Sequence, residues 1–218
     1  MLVRVLFVDV LNWIGTLTFA ATGALVALRK RFDIIGVLVL ASVTAIGGGS
    51  IRDIIVGLLP PPAFTNEPML WAIGLTAVLI FFLPHRLREE SRLLYVLDTL
   101  GLAVFAALGA ERGLAYGMGL WGTVFAGAVS GVGGGVLRDV LSGRIPGIFY
   151  RFGDFYASAA AIGALAFYLT QLFFPGSALV VSLVVTLVVR FGSRWLGLEL
   201  PVPRTLHDEE QAAPEKEA

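Results

Sequence analysis

Two stretches of this sequence share a pattern that could do chemistry inside a membrane. One runs Gly47-Gly48-Gly49-Ser50-Ile51-Arg52-Asp53, the other Gly133-Gly134-Gly135-Val136-Leu137-Arg138-Asp139. Each sets an arginine and an aspartate among apolar residues, where charge is costly and normally faces a partner or a water-filled cavity. Each also places three consecutive glycines, poor helix formers, just ahead of that pair. Three glycines in succession predict a break in a helix. The half-helix before the break would end in free carbonyls, able to replace water around a cation. The half after it would begin with free N–H groups, which favour an anion, so the break alone leaves the sign of the ion open. A kink that serves only packing is the competing account of the glycines, and a structural ion pair that of Arg-Asp. Taken as a path, Arg52 and Arg138 are constriction or gate charges positioned by Asp53 and Asp139, with Thr44, Ser50 and Ser130 supplying hydroxyls.

Other chemistries find little support. A phosphate-binding loop needs a lysine and then Ser or Thr after its second glycine, which neither stretch has. There is no cysteine, and the two histidines are His85 and His207. No disulfide, cysteine-ligated metal or multi-histidine site is therefore expected. No Ser-His-Asp or Cys-His set is evident, so no enzyme activity and no catalytic residue is expected. Zero net charge leaves no basic excess to neutralise phosphates, which argues against nucleic acid as a partner. Asp9, Asp98 and Asp154 lie near the ends of predicted helices and read as caps.

The elements that must carry these groups follow from composition. The 218 residues are 57% hydrophobic and 15% charged, with mean hydropathy +0.84, whereas a soluble domain averages roughly 25% charged residues. This predicts an all-α polytopic membrane protein. Spans of about 20 apolar residues are expected at 5–28, 34–58, 68–84, 93–111, 115–143, 154–174 and 177–196. The first has signal-peptide features, but Asp9 and Asn12 interrupt its apolar run, and it reads as a retained helix. Residues 1–200 form one membrane domain, and the acidic tail 201–218 reads as disordered and cytosolic. Twelve of the 16 lysines and arginines fall on the C-terminal side and two, Arg4 and Arg112, on the other. The N-terminus is thus expected outside and the C-terminus in the cytoplasm. Arg190, inside the last span near its end, is expected to snorkel to the interface.

Shifted by 86 residues, the chain matches itself without gaps. Gly15, Phe19 and Gly23 fall on Gly101, Phe105 and Gly109; the triple glycines fall on each other; Arg52, Asp53, Gly57 and Pro60 fall on Arg138, Asp139, Gly143 and Pro146. The period holds three spans, so the second copy enters the membrane from the opposite side. The expected fold has seven transmembrane helices: a 3+3 inverted repeat, about 5–84 and 91–174, and a C-terminal helix at about 177–196. Helices 2 and 5 are expected to be broken at Gly-Gly-Gly, near the midplane where such folds place their path. Gly15, Phe19 and Gly23, and likewise Gly101, Phe105 and Gly109, are spaced by four and form one ridge for close helix packing.

The duplicated Gly-Gly-Gly-x-x-Arg-Asp in the second and fifth of seven helices resembles the prokaryotic branch of the trimeric intracellular cation (TRIC) channels, a group also labelled glycine-transporter-like or uncharacterised membrane proteins. The resemblance covers about residues 3–197. It implies a homotrimer in which each protomer has its own pore for K⁺ and Na⁺, shaped by helices 2 and 5 kinked at the glycines, with an accessory seventh helix. It implies no cofactor beyond the permeant ions, membrane lipids as neighbours with room for one at the trimer interface, and the plasma membrane as location. A carrier for a small solute such as glycine, using the same midplane site, is the alternative.

Overall fold

The computed structural model describes residues 2–82, 90–149 and 155–198. Within them lie seven α-helices: α1 (Leu2–Arg29), α2 (Ile34–Ile55), α3 (Glu67–Phe81), α4 (Ser91–Ala115), α5 (Leu120–Leu141), α6 (Tyr156–Phe173) and α7 (Ala178–Trp195). Six are long and apolar enough to cross a membrane, and α3 is a shorter apolar helix of 15 residues. The acidic tail at 201–218 and Asp154 lie outside the described residues. The fifth span begins at Leu120, not at residue 115, because Ala115 ends α4 and Gly117 then takes the left-handed conformation at φ +79°.

Local chemistry sets the ends of the helices. Asp33 caps α2 by accepting from the Gly36 N–H at 2.7 Å, and Asn66 caps α3 by accepting from Met69 N–H at 3.2 Å. Gly57 and Gly143, one period apart, follow α2 and α5 with φ of +78° and +68°. There they let the Leu58 and Arg144 N–H groups close back on the Asp53 and Asp139 carbonyls, each at 2.8 Å.

Contacts between helices repeat with the sequence. Helix α1 packs on α2 and α3, as α4 packs on α5 and α6. A Cβ on Gly23 would meet the Leu40 carbonyl and the Thr44 hydroxyl at 2.6 Å. One period later, a Cβ on Gly109 would meet the Ala126 carbonyl at 2.7 Å and Ser130 Cβ at 2.5 Å. The two copies also meet reciprocally. Gly48 lies against the Ser130 carbonyl, and Gly134 against the Thr44 carbonyl. Phe19 stacks on its own counterpart Phe105, centroids 5.3 Å apart. When residue i touches j and their equivalents touch in return, a two-fold axis runs between them. That axis passes through the crossing of α2 and α5.

The expected break of these helices at the triple glycines is not what the structure holds. Helix α2 runs as one α-helix from Ile34 to Ile55 and α5 as one from Leu120 to Leu141. A freed peptide group at that depth would have to find a partner in protein or water, and continuing the helix costs only about 1 kcal/mol per glycine relative to alanine. The missing side chains are spent on contact instead. At Gly48 and Gly134 the opposing atoms are backbone, which cannot move aside.

Gly48→Ala should therefore lower stability by about 1–3 kcal/mol through overpacking. Gly74→Ala in α3, where a Cβ meets nothing within 4 Å, should raise it by up to about 1 kcal/mol. Thermal unfolding of both variants in detergent checks this, and an unchanged midpoint for Gly48→Ala would refute the tight crossing.

Candidate functional site

A cavity of about 540 Å³ opens beside the crossing. The first half of α1 contributes Asp9, Asn12 and Thr16; the end of α2 contributes Gly49, Arg52 and Asp53. Asn66 and Met69 from the start of α3, Phe105, Glu111 and Arg112 from α4, and Phe167 and Gln171 from α6 complete its polar and apolar walls. Three carboxylates and two guanidiniums thus face one space, and all come from one end of the bundle. Asp9 stands two turns inside α1, so it is a cavity residue and not a cap.

Arg52 sits where this cavity reaches the crossing. Its side chain folds back on its neighbour, Nε and Nη2 donating to Asp53 Oδ1 at 3.0 and 2.8 Å. Nη1 donates across the crossing to Ser130 Oγ at 3.2 Å. Arg52 and Asp53 are 7% and 3% exposed, so the pair is neutralised locally before any ion arrives. Thr44, the counterpart of Ser130, donates its hydroxyl to the Leu40 carbonyl at 2.6 Å. Ser50 Oγ is buried without a hydrogen-bond partner among the described residues. Neither Thr44, Ser50 nor Ser130 lines the cavity.

Arg138 occupies the equivalent place at the opposite end of the bundle, in different company. Nε donates to Asp139 Oδ1 at 3.0 Å, matching the Arg52–Asp53 pair. Nη1 donates to Asp98 Oδ1 at 2.7 Å. Asp98 also accepts from Tyr156 Oη at 3.5 Å and, through Oδ2, from Arg190 Nη2 at 3.4 Å. Far from capping a helix, Asp98 is buried inside α4 at 5% exposure. Arg190 does not snorkel either: at 5% exposure it points inward. Its guanidinium lies 4.3 Å from the Tyr156 ring centroid and 5.2 Å from that of Tyr95.

The structure thus brings Arg52, Asp53 and Gly49 together with the cavity. It sets Arg138, Asp139 and Gly135 apart in a polar cluster, with the Tyr156 hydroxyl against Gly135. Residues Gly47, Gly48, Gly133 and Gly134 pack the crossing. Gly15, Gly23, Gly101 and Gly109 pack α1 and α4, with Phe105 also reaching the cavity wall. Asp98, Tyr156 and Arg190 were not among the expected site residues. One signal for Asp98 was present in the sequence: it stands 86 residues after Asn12, so the two halves differ at the position that meets the arginine.

Comparison with known proteins agrees with this internal symmetry. A family model described as glycine transporter matches twice, over residues 9–85 and 95–171, the same offset of 86. A UPF0126 membrane protein of Deinococcus radiodurans is 45% identical over 195 residues, 89% of this chain and 91% of its own. Among solved structures, a TRIC cation channel superposes with TM-score 0.82 at 34% identity, covering 89% of this chain and 96% of that one. The TRIC trimeric intracellular cation channel orthologue from Rhodobacter sphaeroides gives 0.81 at 36% identity, over 88% and 99%. A duplicated family match, a relative at 45% identity and a shared fold at near-full coverage lead to one conclusion: this chain is a membrane protein belonging to the prokaryotic TRIC channel family.

Proposed function

We propose that this chain is a monovalent-cation channel. Three copies assemble in the plasma membrane, N-terminus outside and C-terminus in the cytoplasm, each with its own path for K⁺ and Na⁺. The observation that carries this is the cavity that ends on Arg52 and Gly49 at the α2–α5 crossing. Its lining has three carboxylates against two guanidiniums, and a vestibule with one sign in excess, walled by apolar helices, concentrates the opposite ion. The likeness to solved TRIC cation channels supports the same reading.

In this mechanism the helices α2 and α5 stay wound, so side chains do what free carbonyls would have done. Asp9 and Glu111 face the cation on the outer side. Arg52 is held to Asp53, which removes its positive field from the path. The protein is a non-enzymatic transport protein and needs no cofactor; lipid fills the surface between protomers.

Purified protein in a planar bilayer with asymmetric KCl should show unitary currents that reverse at the K⁺ Nernst potential. Saturable glycine uptake without current would instead establish a carrier. Arg52→Ala should change the unitary conductance and leave the oligomer intact. Arg138→Ala strips the buried Asp98 and the part-buried Asp139 of a partner; it should cost about 3–5 kcal/mol of stability, read as a lower unfolding midpoint than that of Arg52→Ala.

A further inference from the structure

Five cations gather at the end of the bundle where α1 finishes and α4 begins. Lys30 and Arg31 follow α1, Arg92 opens α4, Arg144 follows α5, and Arg194 lies in the last turn of α7. The helices are tied together there. Arg29 Nη2 donates to the Glu90 carbonyl at 3.0 Å, and the Arg194 guanidinium lies 4.0 Å from the centroid of the Tyr95 ring. The bond from Arg138 to Asp98 sets the end of α5 beside the same stretch of α4. Lys30, Arg31, Arg92 and Arg144 are exposed, and none of the four side chains forms an ion pair among the described residues. The exposed carboxylates of these connections, Asp33 and Glu90, are spent on helix ends, where they accept from the Gly36 and Arg92 N–H groups.

The helix dipole favours cations at the ends of α1, α5 and α7, and that accounts for most of the group. It does not account for Arg31, which takes the left-handed conformation at φ +60°. Gly57, Gly117, Gly143 and Gly197 hold the same conformation after α2, α4, α5 and α7. Gly117 is the counterpart of Arg31 one period of 86 residues later. The two turns close alike, Phe32 N–H on the Ala27 carbonyl at 3.0 Å and Met118 N–H on the Gly113 carbonyl at 3.1 Å. An arginine standing where glycine is free of strain is kept for its guanidinium.

A matching anion lies in the same chain. Residues 201–218 carry Asp208, Glu209, Glu210, Glu215 and Glu217 against Arg204 and Lys216. Helix α7 delivers this segment to the basic end, since Leu198 N–H closes on the Ser193 carbonyl at 2.9 Å just past Arg194. The ten residues from Leu198 to Asp208 span up to about 33 Å when extended. Lys30, across α4, is two helix widths away, on the order of 20 Å. A partner tethered this closely acts at roughly millimolar effective concentration.

We propose that the basic face of Lys30, Arg31, Arg92 and Arg144 is the docking surface for the chain's own acidic segment 208–217, which is held there by charge. Uncovered, these cations would repel K⁺ from this mouth of the path; covered, they do not. The shielding rests on the channel reading, whereas the docking itself is measurable without current.

Lys30 and Lys216 are the only lysines in the sequence, so a carbodiimide, which joins an amine to a carboxylate in contact, reports on this face directly. The full chain in uncharged detergent at about 0.01 M salt, where the screening length is about 30 Å, should yield Lys30 joined to a carboxylate of 208–217 in a band of monomer mass. At about 1 M KCl, where that length is about 3 Å, the link should disappear. Arg31→Gly suits the turn and should unfold no earlier than the wild type, yet lower the yield about two- to fivefold, the worth of one exposed ion pair. Links from Lys30 only to Asp33 or Glu90, or a yield indifferent to salt, would overturn the docking. A link found only in a band of dimer mass would give the face to a second copy, and Lys30 acetylation slowed only by added phosphatidylglycerol would give it to lipid; either result refutes the proposal. In bilayers, the full chain with Asp208→Asn, Glu209→Gln, Glu210→Gln, Glu215→Gln and Glu217→Gln should pass about half the wild-type K⁺ current from this side at about 0.1 M KCl and match it at about 1 M. Equal currents at the lower concentration would refute the shielding. If the wild type carries no unitary current, the channel reading fails and the cross-link alone decides the docking.

Discussion

The structure depends on one contact, the approach of α2 and α5 at backbone distance through Gly48 and Gly134. A side chain on either glycine would strike the carbonyl of Ser130 or Thr44, so the helices could not cross at this depth. In a bilayer the lipid is as apolar as leucine, and helices gain little by burying side chains against each other. Close backbone approach through small residues is what remains to hold them. The ridge of Gly23 on α1 and Gly109 on α4 makes the same kind of contact within each copy. The crossing also sets the distance over which Arg52 reaches Ser130 of the other repeat. Widening it would leave a buried guanidinium short of a partner, which is the expensive error in a low-dielectric interior.

Much of this was legible in the sequence, and the reasons are physical. The offset of 86 residues gave the repeat, and the reciprocal contacts at Gly48 and Gly134 are its expression in space, although the sequence assigned those glycines to a break. Charge counts and apolar runs placed the spans because the bilayer fixes their length. The fate of the triple glycines was not legible. Glycine serves both to break a helix and to let another backbone come near, and only the neighbour decides between them. Here the neighbour is a carbonyl of the partner helix, and the helix stays wound. Asp98 was misread for a related reason: its place near the start of a span suggested a cap, and nothing local announced that two arginines from α5 and α7 converge on it.

Arg52 and Arg138 show how far local sequence determines an ion pair. Both fork onto the next residue, at 2.8–3.0 Å for Arg52 and 3.0 Å for Arg138, because arginine followed by aspartate at the end of such a helix can do so wherever it is placed. Their remaining donors diverge. Arg52 Nη1 takes the Ser130 hydroxyl; Arg138 Nη1 takes the Asp98 carboxylate. Burying a full charge needs a full counter-charge, while a charge next to a cavity can be served by a dipole.

An inverted repeat with two identical halves would have no direction, since each end would meet its own solvent in the same way. Direction must come from whatever departs from the repeat. In this chain both ends depart: Asp98 stands for Asn12, Tyr95 for Asp9 and α7 is added at one, while Glu111 and Arg112 stand for Leu25 and Val26 at the cavity. Asp98, Tyr95 and Arg190 meet in one cluster of hydrogen bonds and ring contacts. Each arginine thus has its own surroundings, built on a symmetric scaffold whose shared core of glycine contacts leaves the ends free to differ.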